Sequence, residues 1–139
     1  MKKIIFFLLI YTSFLFPRDL IVITNINFPK DHLTQREIKA IFLDQKRFIK
    51  NYMLLPINYS FDDPLRLYFE KNILKKSRRV LERYWLKAHY NGKRPPKVVK
   101  SRAMLFGYLE KVPTAIGYID NSTTLPKKIK ILLKMENCR

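Results

Sequence analysis

Short apolar runs rich in β-branched residues alternate along this chain with helix-start signals, and that alternation restricts the fold more than any other feature. Leu20-Ile21-Val22-Ile23-Thr24 has the composition of a buried strand and ends at Asn25. A loop containing Pro29 leads to Thr34-Gln35-Arg36-Glu37, the pattern of a capping box, in which a hydroxyl and a carboxylate each satisfy an orphan backbone amide. Ile38, Ile41 and Phe42 then fall on one helical face. Lys46 to Asn51 is a polar connection, and Met53 to Tyr59 reads as a second strand. Pro56 near its middle removes a ladder donor, which predicts an edge strand or a bent crossing strand.

Asp63-Pro64 is a clear helix start, because the aspartate can accept from a free amide and the proline stands where no amide donor is needed. Leu65, Tyr68, Phe69 and Ile73 supply the buried stripe, and Lys75-Lys76-Ser77 breaks it. In the next helix Leu81, Tyr84, Trp85 and Ala88 face inward, while Arg79, Arg83 and Lys87 recur every four residues as a basic face; Gly92 ends it. Pro95-Pro96 opens an extended piece through Val99. Ser101 can cap a helix with the stripe Leu105, Tyr108, Leu109 and Val112, which Pro113 ends. Ala115 to Ile119 and Lys130 to Leu133 read as the remaining strands. The expected class is therefore α/β, a small mixed sheet covered by helices, with too few strands for a complete doubly wound domain.

The first residues follow a different logic. Lys2-Lys3 and the apolar run Ile4 to Phe16 form a positive start and a hydrophobic stretch too short to span a bilayer comfortably, which is the pattern of a secretory signal. The expected organisation is a signal peptide over residues 1–18 and one domain over 19–139. Phe14, Leu15 and Phe16 offer no small-residue cleavage motif, so release into the periplasm and retention as a membrane anchor both stay open.

The exported part is strongly basic, at +17 for the whole chain, and such a surface attracts anions of any kind. Cys138 is the lone cysteine, so no intramolecular disulfide can form. His32 and His89 are isolated, and no Cys, His or carboxylate cluster has metal-ligand spacing. No nucleophile, base and orienting group stand at motif spacing either. A non-enzymatic protein without metal or cofactor is expected.

Three stretches in order resemble the phosphate-type periplasmic substrate-binding proteins of ABC transporters. The first runs from Ile21-Val22-Ile23-Thr24-Asn25 through Leu33-Thr34 and Glu37-Ile38 to Ile41-Phe42. The second is Pro56-Ile57 followed by Asp63-Pro64-Leu65-Arg66 and Phe69, and the third is Pro113-Thr114-Ala115-Ile116-Gly117-Tyr118. The resemblance implies a single lobe, similar to half of the type II clamshell of that family. It implies a ligand-binding loop at Asp63, Pro64, Leu65 and Arg66, where the family has a Ser-Gly-Thr turn that grips phosphate with hydroxyls and free amides at a helix start. Here a carboxylate, a proline and an alkyl side chain replace hydroxyl, amide donor and hydroxyl; Asn58, Tyr59 and Ser60 stand where the family carries an arginine. The implied function is that of a periplasmic phosphate-binding-like protein with a degenerate site and a binding or accessory role. The implied partners are inorganic phosphate or another anion and a membrane transporter or sensor protein.

Two other classes rest on the charge. Leu33-Thr34-Gln35-Arg36-Glu37-Ile38 is similar to the start of a helix-turn-helix, and Arg79, Arg83 and Lys87 could track nucleic-acid phosphates, provided a recognition helix follows. Arg78-Arg79, Lys93-Arg94, Lys97 and Lys100 could instead lie against anionic envelope lipids.

Overall fold

In a computed structural model of the protein, residues 18–138 are described. The signal-like run Ile4 to Phe16 lies outside the described residues, and Arg18 already belongs to the first strand. The elements are β1 (Arg18–Asn25), α1 (Gln35–Phe42), β2 (Phe48–Ile49), β3 (Tyr52–Met53), β4 (Leu55–Tyr59), α2 (Pro64–Phe69), α3 (Arg78–Tyr90), β5 (Lys97–Val99), α4 (Arg102–Lys111), β6 (Ala115–Asp120) and β7 (Ile129–Cys138). A π-helical turn, Glu70–Leu74, continues α2.

The main sheet has the order β5-β4-β6-β1-β7. β1 is antiparallel to both neighbours, with Ile21 opposite Ile119 and Val22 opposite Leu133, whereas β4 is parallel to β5 and β6. The mixed α/β class expected from the alternation is the one observed. Alternation along β6 divides the core: Tyr118 packs on Phe69 with rings parallel at 3.9 Å, and Phe42 lies 4.7 Å from Phe69, so α1 and α2 cover one face. Gly117 points to the other face, where Leu105 of α4 sits so close that an added Cβ would meet its Cδ1 at 2.4 Å.

The capping signals act as read. Thr34 and Glu37 form the reciprocal capping box of α1, Asp63 caps α2, Ser77 caps α3 and Ser101 caps α4. Lys75, in the left-handed region at φ 55°, turns the chain between the π-turn and α3. The Gln35 side-chain amide donates to Asn72 O at 3.0 Å, satisfying a carbonyl that the π-turn frees.

Three expectations need correction. Met53 does not continue into the second strand: it closes a small β2–β3 hairpin whose turn places Lys50 at φ 53°, and the supposed polar connection contains β2. β4 is an interior strand, so of the edge strand and the bent crossing strand that Pro56 suggests, the edge is excluded. Pro56 is tolerated because β4 pairs with β6 only at Leu55 and Pro56 and with β5 only from Ile57 onward, so the missing amide falls where one side of the strand has no neighbour. β7 is longer than Lys130 to Leu133: it pairs with β1 from Asn25 back to Arg18, with register irregularities between Ile23 and Val22 and between Leu20 and Arg18.

Where β4 diverges from β6, side chains close the gap. The Tyr59 hydroxyl donates to Tyr118 O at 2.7 Å, and the Tyr118 hydroxyl donates to Asn58 Oδ1. Burial raises the pKa of both phenols, so each stays a protonated donor. At the far end of β1, the buried Asn25 amide donates to Leu109 O at 2.7 Å and ties the strand to the last turn of α4.

Candidate functional site

The loop from β4 to α2 carries the residues that the family resemblance singles out. Asp63 accepts from the Leu65 amide at Oδ1 (2.9 Å) and from Arg102 Nη1 at Oδ2 (2.8 Å). Both carboxylate oxygens are thus engaged, one by the helix start and one by a guanidinium that itself stacks 4.1 Å above the Tyr59 ring. Burial alone would lower the Arg102 pKa; the Asp63 hydrogen bond and the nearby Tyr59, Asp63 and Asp120 raise it overall. Pro64 is exposed and offers no amide, and the Leu65 side chain is buried in the core. A negative charge of the protein's own therefore stands at the start of α2, where the exposed amides and the helix dipole favour an anion.

Arg66 is not a solvent-facing helix residue. Its Nη1 donates to Tyr59 O at 2.9 Å, and its Nε donates to Glu70 Oε2 at 3.3 Å. Glu70 is buried and also accepts from Arg78 Nε at Oε1, 3.0 Å away. The exposed Phe61 ring lies under both guanidiniums, 3.8 Å from Arg78 Cζ and 5.7 Å from Arg66 Cζ. Stacking and ion pairing together hold the two arginines in place.

These arginines form one wall of a cleft of about 760 Å³ between α3, the π-turn and the β4–β5 side of the sheet. Its other walls include Trp85, Leu86, Pro95, Pro96 and Val98. α3 is held by buried Leu81 and Ala88, by the Tyr84 hydroxyl donating to Leu43 O, and through Asp44, whose carboxylate binds Arg47 and the Arg94 amide. The expectation that Trp85 belongs to the inward stripe holds only in part, since it is half-buried and lines the cleft.

Arg79, Arg83 and Lys87 lie exposed on α3 and take part in no ion pair among the described residues. They are remote in role from the loop at Asp63: nothing in the hydrogen-bond pattern joins them to it. α1 is followed by the β2–β3 hairpin, so the helix-turn-helix reading lacks its recognition helix. Among the described residues no group of His, Cys, Asp or Glu could hold a metal, and no helix is long and apolar enough to cross a membrane.

Sequence reasoning missed Arg102, Glu70 and Arg78 as partners. Arg102 lies 39 residues beyond Asp63, and no spacing rule links them. Glu70 sits among apolar positions of α2 and its π-turn, and could have been noticed as a carboxylate on a buried stripe.

No family model matches the chain, and no curated protein does. Solved structures do. An ABC-type phosphate transport receptor from Vibrio cholerae superposes with a TM-score of 0.65 at 17% identity, over 83% of this chain and 45% of that one. A putative phosphate ABC transporter substrate-binding protein with bound phosphate from Clostridium perfringens gives 0.67 at 17%, over 83% and 44%. PstS from Borrelia burgdorferi gives 0.63 at 19%, over 83% and 46%. The chain thus has the fold of part of these proteins and spans less than half of their length.

Proposed function

We propose that this chain is an exported, non-enzymatic binding protein built on the phosphate-binding fold, with its phosphate site degenerate. In this reading residues 1–18 direct export to the periplasm and 19–139 form the binding domain, which serves a binding or accessory role beside a membrane transporter or sensor. The observation that carries it is the doubly held Asp63 carboxylate. At the loop where the family resemblance places an anion, the protein supplies one itself, which takes up the Leu65 amide, while Pro64 has no amide hydrogen and the Leu65 side chain no donor. Arg66 belongs to the Glu70 ion pair, so it too is committed within the chain.

Isothermal titration of the protein with inorganic phosphate tests this reading. No saturable heat is expected through millimolar phosphate; a one-to-one isotherm with micromolar affinity would overturn it.

A further inference from the structure

The cleft beside α3 contains polar groups whose hydrogen bonding is incomplete. Asn58 is 6% exposed. Its Oδ1 accepts from the Tyr118 hydroxyl and from the Tyr59 amide (3.2 Å), which assigns the side-chain nitrogen to the opposite position. That Nδ2 donates to nothing among the described residues, and Asn58 lines the cleft. Arg78 also lines the cleft, and its buried Nη2 has no hydrogen-bond partner. Of the two, only Arg78 Nη2 is sealed from solvent, whereas Asn58 Nδ2 is a donor without a protein partner at the cleft, open to a group that accepts from it.

The chemistry of that acceptor follows from the charges. Glu70 has each oxygen occupied by an arginine Nε, and so offers the cleft little as an acceptor. Arg66, Arg78 and Glu70 together carry one net positive charge. A monoanion neutralises the set, whereas a dianion would invert it in surroundings where excess charge is expensive. Glu82 and Lys93 at the cleft offset each other. The remaining walls are apolar and aromatic, and about 760 Å³ is the space of a ligand far larger than an inorganic ion.

We infer that this cleft binds an amphipathic monocarboxylate. Its carboxylate accepts from Asn58 Nδ2 and answers the net positive charge of Arg66, Glu70 and Arg78, and its apolar body lies along Phe61, Trp85, Leu86 and Pro96. The inference rests on the binding-protein reading and gives that reading a ligand class. It uses a cleft that shares Arg66 with that loop but is not lined by Asp63, Pro64 or Leu65.

Trp85 is the only tryptophan of the chain, so its fluorescence reports this cleft directly. The experiment titrates the full chain with decanoate, with decanol and with inorganic phosphate, following Trp85 emission and the heat of binding. Decanoate should saturate one site and shift the emission, with decanol weaker by about tenfold or more, because it lacks the charge that Arg78 answers. Leu86→Glu, at a position 73% exposed and so safe for folding, should weaken decanoate by a similar factor. Arg78→Met, which removes the guanidinium charge together with its stack on Phe61, should do the same. Equal affinity for decanol and decanoate, no decanoate binding, or binding unchanged in Leu86→Glu would each overturn the inference. So would a dimer in size-exclusion chromatography that Leu86→Glu splits, since a second copy would then fill the cleft. Micromolar phosphate binding would instead defeat the degenerate-site reading and leave the decanoate result standing on its own.

Discussion

If the Asp63 carboxylate is the protein's own replacement for a bound anion, removing its charge should create affinity for an external one. Asp63→Ser is the appropriate change, because serine is as good a helix cap as aspartate and the Leu65 amide keeps its acceptor. The stability cost is then mainly the Arg102 pair, whose side chains are 36% and 20% exposed. Pairs this wet are worth about 0.2–1 kcal/mol, which lowers the melting temperature by a few degrees at most. The gain in binding is larger. An oxyanion held against Arg102 in the wild type would lie roughly 4 Å from the Asp63 carboxylate, where unit charges repel by about 1 kcal/mol in water and about 4 kcal/mol at an effective dielectric of 20. A half-exposed site takes the lower part of that range, about 1–2 kcal/mol per charge, so phosphate affinity should rise roughly tenfold or more. Calorimetry of Asp63→Ser against wild type, at low and at high salt, measures the change. Equal phosphate affinity in the two proteins would refute the reasoning, because it would mean that the carboxylate was excluding nothing.

Two further outcomes follow from the scaffold. Gly117→Ala would press a methyl carbon into Leu105 Cδ1, and overpacking of this kind costs about 1–3 kcal/mol, so thermal unfolding should show a clear fall in melting temperature that Leu105→Val in the same chain partly reverses. The Thr34 amide, with Lys30 and Lys46, holds the Glu37 carboxyl down at about 2 against an ordinary 4.5, despite the opposing effect of burial. A group whose folded pKa is depressed stabilises above its unfolded pKa and loses that contribution as pH falls toward the folded value. Wild type should therefore melt above Glu37→Gln at pH 7, with the two converging between about pH 4.5 and pH 2; a constant difference across that window would count against the assignment.

Local chemistry was the part legible in the sequence. Thr34, Asp63, Ser77 and Ser101 all cap the helices that they precede, because a cap is decided by residues a few positions apart. The Ala115 to Ile119 and Leu20 to Thr24 runs form interior strands, since each is a continuous apolar segment that only a sheet covered on both faces can bury. What could not be read were features decided by distant partners. Pro56 predicts an edge strand or a bent crossing strand because it removes a ladder donor; its tolerance in an interior strand depends on β5 and β6 taking turns along β4, a fact of tertiary register. The helix starting at Asp63 passes into a π-turn that shifts the buried set to include Glu70 and Leu74, and nothing in the 3.6-residue period announces the extra residue. The candidate site was partly legible in the same sense: Asp63 reads as a helix cap, but Arg102, which holds its second carboxylate oxygen, comes from the start of α4.

The acidic residues divide between structural tasks and the open surface. Of the few carboxylates in the chain, Glu37 completes a capping box, Asp44 binds Arg47 and the Arg94 amide near the end of α3, Asp63 caps α2, and Glu70 joins α2 to α3 through Arg66 and Arg78. Each is tied to a structural task within the fold, whereas Asp31, Asp62, Glu82, Glu110 and Glu136 are exposed, Glu82 on α3 itself with Arg79, Arg83 and Lys87. The net charge of +17 is therefore a matter of number, 28 basic residues against 11 acidic ones, and not of cations gathered at one site. Attraction of that kind is diffuse and screened within about 8 Å at physiological salt. It should give phosphate, nucleic acid and anionic lipid alike a weak binding that salt abolishes. Affinity that survives salt has to come from donors held in fixed places, and the candidates in this fold are Arg102 when Asp63 is removed and the Asn58 amide in the cleft.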